Sequence, residues 1–143
     1  MKISTRGRYA LRMMLDIAMH NQNGPVRIRD IAQRQKVSVK YLEQIVAALA
    51  KAGYLISQRG PQGGYSLAKR PAEYTVGMIL RITEGDLTPV ACVDGSYDCP
   101  REEDCVTIRI WRELDDAITS VIDRYTLEDL VVWQEQVNGD YVI

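Results

Sequence analysis

The sequence predicts a mainly α-helical chain that contains one small β-hairpin and ends in a long helix. Three observations predict this fold class. Apolar residues recur at helical spacing through the first fifty positions, two β-prone runs flank a glycine-rich loop soon afterwards, and helical spacing returns after position 105. The chain has 143 residues, so it has room for a small domain with one attached element, but not for two large domains.

The N-terminal third is predicted to form three helices. The apolar positions of the first are Ala10, Met13, Met14, Ile17 and Ala18. This pattern stops before an Asn-Gly-Pro sequence, which predicts a helix over residues 9–21, and a shorter helix fits residues 29–35. Ser38 is a suitable N-cap for a third helix that runs to about residue 51, with Val37 placed to pack on Leu42.

The third helix is predicted to have one apolar and one polar face. The apolar positions are Leu42, Ile45, Val46 and Leu49. The opposite face carries Lys40, Glu43, Gln44, Ala47 and Lys51 at the same helical spacing. An outward face that is short and polar is typical of a helix that recognises bases.

A β-hairpin is predicted directly after the third helix. Residues 54–58 and 65–67 are β-prone and flank the loop Arg59-Gly60-Pro61-Gln62-Gly63-Gly64. A fourth helix is predicted over residues 76–83. Together these elements predict a winged helix-turn-helix domain over residues 1–83.

The C-terminal half is predicted to be a cysteine-bearing loop over residues 84–104, two dimerisation helices over 105–137 and a short tail over 138–143. The long helix is expected to open at Cys105, and its apolar positions are spaced 3, 4, 3 and 4 apart. They are Trp111, Leu114, Ile118, Val121 and Tyr125. That spacing is typical of a coiled-coil seam, which predicts a homodimer in which Trp111, Leu114, Ile118 and Val121 form the interface. Residues 126–129 are predicted to cap the last helix.

Charge is divided unevenly between the two halves. Residues 1–70 contain 13 Lys and Arg against 3 Asp and Glu, whereas the rest of the chain contains 5 Arg against 16 acidic residues. A basic half favours a polyanionic partner such as double-stranded DNA, and an acidic half is kept away from it. There is no membrane-spanning apolar run and no signal-peptide pattern, so we expect a cytoplasmic protein.

The predicted winged helix supplies a specific set of candidate DNA contacts. Gln44 is suited to adenine, Lys40 to guanine or phosphate, and Glu43 to cytosine, while Arg59 at the hairpin tip is placed to enter the minor groove beside Gly60. Backbone phosphates are the expected targets of further basic residues, namely Lys2, Arg6, Arg8, Arg27 and Arg29.

The three cysteines, Cys92, Cys99 and Cys105, are candidate metal ligands with the spacing C-x6-C-x5-C. Three thiolates suit zinc or an iron–sulfur cluster. An odd number of cysteines cannot all pair within one chain, and a reducing cytoplasm disfavours disulfides. Chance clustering of structural or redox-active cysteines remains the alternative to a metal site.

Four motifs carry a resemblance to a known family. They are Ser4-x-x-Gly7-Arg8-Tyr9-Ala10, Asp30-Ile31-Ala32, Tyr41-Leu42-Glu43-Gln44 and Arg59-Gly60-Pro61-x-Gly63-Gly64-Tyr65. Followed by three cysteines, they closely resemble the IscR-type family of iron–sulfur cluster-sensing winged-helix transcription regulators, from Met1 to about Val131. The resemblance implies a homodimer, a cluster of the 2Fe-2S type, and control of genes for cluster assembly. A two-fold dimer in turn predicts a palindromic operator. It also implies base readout by Tyr41, Glu43 and Gln44 with Arg59 in the wing.

The sequence departs from this family at the fourth cluster ligand. The histidine expected three residues after the last cysteine is Ile108, which cannot bind a metal. In other branches of the family a ligand comes from the first helix, but the matching positions here are Arg8 and Arg12, and a guanidinium cannot bind the metal. The single histidine, His20, is expected on the surface. The remaining candidates are an exogenous ligand or the loop carboxylates Asp94, Asp98, Glu102, Glu103 and Asp104.

Two functions other than a cluster-responsive regulator are compatible with single features of the sequence. In the first, a winged-helix regulator holds structural zinc or senses oxidants through its thiols. In the second, one cysteine is the nucleophile of an enzyme with His20 as base. The sequence contains no second histidine, no G-x-S-x-G elbow and no P-loop, so we expect no enzymatic activity.

Overall fold

A computed structural model describes residues 2–96 and 98–139, and over these residues the chain forms six α-helices and one β-hairpin. In chain order they are α1 (Thr5–His20), α2 (Ile28–Gln35), α3 (Val39–Lys51), β1 (Leu55–Gln58), β2 (Gly64–Leu67), α4 (Val76–Glu84), α5 (Ile108–Arg124) and α6 (Leu127–Gly139). The predicted fold class, mainly helical with a small hairpin, is confirmed. None of these helices is long and apolar enough to span a bilayer.

Helix α1 begins four residues earlier than its apolar pattern predicted. Ser4 is the N-cap, and its hydroxyl accepts a hydrogen bond from the Gly7 amide at 3.1 Å. The first turn is polar, so hydrophobic periodicity could not detect it. The Glu84 carboxylate then accepts a hydrogen bond from the Ser4 amide at 2.9 Å, which ties the end of α4 to the start of α1.

The hydrophobic core lies among α1, α2, α3 and α4, and α6 adds the fully buried Leu127. The four apolar positions predicted for α3 are all buried, and so are the five predicted for α1. As predicted, Ser38 caps α3, because its hydroxyl accepts a hydrogen bond from the Tyr41 amide at 3.1 Å. Tyr74 is fully buried, and its hydroxyl donates to the Tyr54 carbonyl at 2.8 Å, which fixes the chain between the hairpin and α4.

The predicted hairpin is confirmed as an antiparallel pair in which Leu55 lies opposite Leu67 and Gln58 opposite Gly64. A third segment of the chain, which the sequence did not indicate, pairs with the hairpin. Val26 forms an isolated bridge with Tyr65, so the segment that leads into α2 lies along β2. The wing is therefore held against the helical domain on one side.

The two C-terminal helices join the rest of the chain differently: α6 packs on α1 and buries Leu127 in the core, whereas α5 is attached to α4. Arg81 donates to both carboxylate oxygens of Asp123, at 2.8 and 2.9 Å. The fork hydrogen bonds from Arg81 lower the pKa of Asp123 below its ordinary value. The Val76 amide also donates to the Tyr125 carbonyl at 2.9 Å. These contacts fix the C-terminal end of α5 on α4.

Two predicted boundaries in this half and one predicted seam residue are wrong. Cys105 does not open the long helix, because residues 105–107 form a turn and α5 begins at Ile108. Tyr125 leaves the seam, since its backbone is extended and its ring packs edge-on against Trp133, with centroids 5.2 Å apart. Helix α6 continues to Gly139, so the predicted tail begins inside it, and residues 140–143 lie outside the described residues.

Candidate nucleic-acid interface and cysteine loop

The outward face of α3 is open to solvent as its spacing predicted. Lys40, Glu43 and Gln44 are exposed, whereas Tyr41 is half-buried at the edge of the core. All four side chains lie within the first two turns of the helix. A face of this size and polarity fits the major groove, and the roles of the individual residues stay predictions.

Tyr41 is held by a neighbour on α1. Its ring lies edge-on against the Tyr9 ring, with centroids 6.0 Å apart, and the Arg12 guanidinium lies 4.9 Å above the Tyr9 ring on the same helix. From the sequence, Arg12 was notable only as a position unable to bind a metal, and Tyr9 only as part of a motif. The structure places both beside the candidate recognition helix.

A buried carboxylate joins α1 to α2. Asp16 is only 4% exposed, and it accepts hydrogen bonds from Arg34 Nη2 at 2.6 Å and from Gln35 Nε2 at 2.9 Å. The hydrogen bond to Asp16 raises the pKa of Arg34 above its ordinary value. Gln35 Oε1 in turn accepts from Arg12 Nε at 2.8 Å. This network was not predicted from the sequence, although an acidic residue in register with the apolar stripe of α1 was a usable signal.

His20 lies at the end of this network. Its Nδ1 donates to the Asp16 carbonyl oxygen at 2.8 Å, one helical turn earlier in the chain. This interaction gives His20 a local structural role on α1, and the side chain is about half exposed, at 47%. The surface placement expected for His20 agrees with that exposure.

The wing carries Arg59 and Gly60 at an exposed tip. Residues 60–63 form a β-turn in which the Gly63 amide donates to the Gly60 carbonyl at 2.9 Å, and Gly60 has a φ of 104° that favours glycine. A shallow depression between the wing and the start of α2 is lined by Arg27, Arg29 and Arg59. Three cationic side chains around one concave surface match the expected charge of a DNA-binding face.

The loop between α4 and α5 contains short local turns rather than a regular element. Residues Ala91–Val93 form a single 3-10 turn. The Asp94 carboxylate accepts from the amide of Ser96 at 2.7 Å and from its hydroxyl, and the hydroxyl contact is the main reason that the pKa of Asp94 is lowered. The loop ends close to α5, where Arg112 donates to Glu102 at 3.2 Å.

All three cysteines are accessible thiols outside the core. Cys92 is exposed, while Cys99 and Cys105 are half-buried. The Thr107 hydroxyl lies 3.1 Å from Cys105 Sγ, and this hydrogen bond lowers the pKa of the Cys105 thiol below its ordinary value. A surface thiol with a lowered pKa is more readily a metal ligand than a packing residue.

The cysteine loop has suitable donors but does not gather them into a ready site. Across residues 2–96 and 98–139, no three Cys, His, Asp or Glu side chains lie close enough together to hold a metal ion. Ile108 is buried, as an apolar residue at that position should be. Thiolates are suitable ligands for zinc and for iron–sulfur clusters. The three cysteines therefore match such a metal site by the chemistry of their ligand atoms and not by their present arrangement.

Helix α5 presents an apolar face that the described residues do not cover completely. Leu114 and Val121 are 38% and 48% exposed, and Trp111 and Ile118 are half-buried. Ile110, which was not in the predicted seam, is also exposed. A groove beside this face is lined by Ile3, Leu80, Leu87, Ala117, Ile118, Val121 and Ile122.

Comparison with protein families and curated proteins gives one consistent result. Residues 3–132 match the model of the Rrf2 family, described as iron-dependent transcriptional regulators. The chain is 46% identical over 131 residues to protein rrf2 of Nitratidesulfovibrio vulgaris, covering 92% of this chain and 87% of that protein. It is 41% identical over 138 residues to the HTH-type transcriptional regulator IscR of Pectobacterium atrosepticum, covering 96% and 84%.

Solved structures support the same assignment. The chain is similar to IscR of T. potens, with a TM-score of 0.78, 39% identity and coverage of 96% of this chain and 90% of that one. It is also similar to CymR, the global cysteine regulator of B. subtilis, with a TM-score of 0.77, 39% identity and coverage of 93% and 98%. The names of the IscR and CymR relatives are those of regulators, which is consistent with the expectation that this chain is not an enzyme. With its winged helix and its motifs, the chain belongs to the Rrf2 family as an IscR-type, DNA-binding transcriptional regulator.

Proposed function

We propose that this regulator is a homodimer whose DNA binding responds to an iron–sulfur cluster held by Cys92, Cys99 and Cys105, and that it controls genes for cluster assembly. The observation that carries the proposal is the position of the cysteines. All three are accessible thiols on the segment that joins the winged-helix domain to α5. IscR-named relatives at about 40% identity support the choice of an iron–sulfur cluster.

In this proposal, DNA is recognised by α3 together with the wing. Tyr41, Glu43 and Gln44 face the major groove, with Lys40 beside them, and Arg59 enters the adjacent minor groove next to Gly60. The exposure of the α3 face and of the wing tip supports these roles. The basic charge of residues 1–70 supplies the sequence-independent part of the affinity.

Replacement of Arg59 by Ala is expected to cost about 1–3 kcal/mol of specific binding, because a groove contact is lost. The measurement is a binding titration on one operator at physiological salt. Arg70→Ala is the matched control, since it removes one exposed charge outside the wing. Equal affinities of the wild type and Arg59→Ala would remove Arg59 from the interface.

The proposed cluster would be bound through soft thiolate ligands, with the 2Fe-2S type favoured by the family resemblance. Such a cluster supplies a charged, redox-active group that can be gained or lost. The chain's own contribution would be three thiols on one loop, which must come together to hold the cluster, and Cys105 among them has a lowered pKa. Its fourth ligand is an exogenous group or one of the carboxylates Asp94, Asp98, Glu102, Glu103 and Asp104. Asp94 and Glu102 already have partners in Ser96 and Arg112.

The deciding experiment is anaerobic reconstitution with iron and sulfide. It is followed by iron and sulfide counting and by DNA-affinity measurement with and without the cluster. The proposal expects a visible absorption band and unequal affinities. A colourless protein that binds zinc, or one whose DNA affinity changes only after thiol oxidation, would support the alternative of structural zinc or thiol sensing, because zinc and thiols do not absorb visible light.

The homodimer is expected to form through Trp111, Leu114, Ile118 and Val121 on α5, because this face is apolar and partly exposed. Sedimentation at micromolar concentration should give a dimer for the wild type. Leu114→Arg should shift it towards monomer, whereas Ile56→Arg, which changes an exposed apolar residue on β1, should not. A two-fold dimer also predicts an imperfectly palindromic operator, with half-sites about one helical turn or a multiple apart. A monomeric wild type would contradict this prediction.

A further inference from the structure

The wing is attached to the helical domain at its base through the segment that leads into α2. The Val26 amide donates to the Tyr65 carbonyl and the Tyr65 amide to the Val26 carbonyl, both at 2.8 Å. Gly64 permits this contact, because its φ is 152° and a Cβ there would collide with the Val26 carbonyl. The residue after Val26 therefore lies beside the wing.

Arg27 makes a second contact at the wing tip. Its Nη2 donates a hydrogen bond to the Pro61 carbonyl at 2.5 Å, across 34 residues of sequence. Pro61 is the second residue of the turn over residues 60–63, so its carbonyl belongs to the central peptide of that turn. The orientation of this peptide distinguishes one turn type from another. Gln62 does not have a positive φ, which excludes a type II turn.

The hydrogen bond from Arg27 selects one orientation of that central peptide. If the peptide turned over, the Pro61 carbonyl would leave the guanidinium and Gln62 would need a positive φ, which a residue with a side chain rarely adopts. Arg59 is the residue directly before the turn. The position of its backbone at the tip therefore depends on how well the turn is fixed.

We propose that Arg27 is a positioning residue for the wing, whose hydrogen bond to Pro61 sets the tip conformation that presents Arg59 to DNA. This inference rests on the proposed role of the wing in DNA recognition. It replaces the expectation, drawn from charge alone, that Arg27 contacts a phosphate. A two-stranded hairpin is only marginally ordered by itself, and a flexible tip must be ordered when it binds. A tip that is already fixed in the free protein binds without that cost.

A double-mutant cycle between Arg27 and Arg59 tests the proposal on a single operator. Arg27→Ala is expected to weaken specific binding about 3- to 10-fold, the range for the loss of one hydrogen bond. In an Arg59→Ala background, the same change should weaken binding less than about 2-fold, because the residue being positioned is absent. Additive losses in the double variant would overturn the proposal, and so would an Arg27→Ala protein with wild-type affinity.

Arg29→Ala is the matched control for charge. Arg29 is also exposed and lines the same depression, and no hydrogen bond from its side chain is found within the described part of the chain. If Arg27 acted only through its charge, both variants would lower affinity equally and reduce the salt slope by about one unit. That equality would overturn the proposal. We expect the loss of DNA affinity to be non-additive with Arg59→Ala for Arg27→Ala, and additive with it for Arg29→Ala.

Amide hydrogen exchange in the free protein gives a second readout that does not depend on DNA. The Gly63 amide, which is bonded to Gly60 across the turn, should exchange several-fold faster in Arg27→Ala than in the wild type or Arg29→Ala. Unchanged exchange would overturn the proposal. If the proposed role of the wing in DNA recognition were wrong, Arg59→Ala would bind DNA like the wild type. This outcome distinguishes failure of the proposed function from failure of the positioning role of Arg27.

Discussion

Simultaneous replacement of Cys92, Cys99 and Cys105 by Ala is expected to abolish the visible absorption of the anaerobically reconstituted protein while leaving it folded and dimeric. The three thiols are accessible and contribute nothing to the core, so their loss removes no buried contact. Affinity for some operators should change far more than for others. A coupling free energy of about 1–3 kcal/mol, or about 5- to 150-fold in affinity, is the usual range for such a change.

This expectation follows from how the cysteine loop is attached. At its start, Glu84 accepts hydrogen bonds from the Ser4 amide and hydroxyl, at 2.9 and 2.5 Å, beside the first turn of α1. At its end, Glu102 pairs with Arg112 on α5. A loop tied to the start of α1 and to the N-terminal part of α5 can shift that part of α5 relative to α1 when the loop becomes ordered. Glu43 is the expected reporter of that change, because its charge repels phosphate unless the helix is seated to meet a cytosine.

Affinities of the cluster-loaded and cluster-free protein, measured across a panel of operators at one salt concentration, check this prediction. Glu103→Ala is a useful companion variant, because it removes one exposed candidate ligand from the same loop and leaves the thiols in place. Equal affinities of the two forms at every operator would leave any bound metal a structural role only.

Elements with strong local patterns were predictable from the sequence. The apolar face of α3 and its Ser38 cap depend on spacings of three and four residues, and the hairpin depends on a short glycine-rich turn. Boundaries that lack such a pattern were not predictable. The first turn of α1 is polar, and the turn at residues 105–107 precedes α5 without an N-cap side-chain bond.

Contacts between distant polar residues could not be predicted from composition or spacing. Arg27 and Pro61 are 34 residues apart, and Ser4 and Glu84 are 80 apart. Nothing in the sequence pattern distinguishes Arg27 from Arg29. Only the folded wing shows that Arg27 reaches the Pro61 carbonyl. The same holds for Asp16, whose partners lie on α2. The fold determines which member of a basic or acidic set acquires a specific partner.

Replacement of Asp16 by Ala is expected to lower the free energy of unfolding by about 2–4 kcal/mol. The carboxylate is almost fully buried and accepts hydrogen bonds from Arg34 and Gln35. Breaking a fully buried ion pair costs about 3–5 kcal/mol, because the remaining charge is left without a partner. The cost here is lower, since the Arg34 side chain is 36% exposed and can turn towards water. Urea unfolding at a fixed protomer concentration measures the difference.

Glu102→Ala is the matched control for this prediction, because it also removes one carboxylate from an ion pair with arginine. Both partners of that pair are more than half exposed, so its loss should change stability by about 0–1 kcal/mol. Asp16→Ala should also weaken specific DNA binding, since Gln35 loses the acceptor that orients it towards Arg12, and Arg12 lies over the Tyr9 ring that contacts Tyr41. Equal destabilisation by the two variants would show that burial of the Asp16 network does not matter.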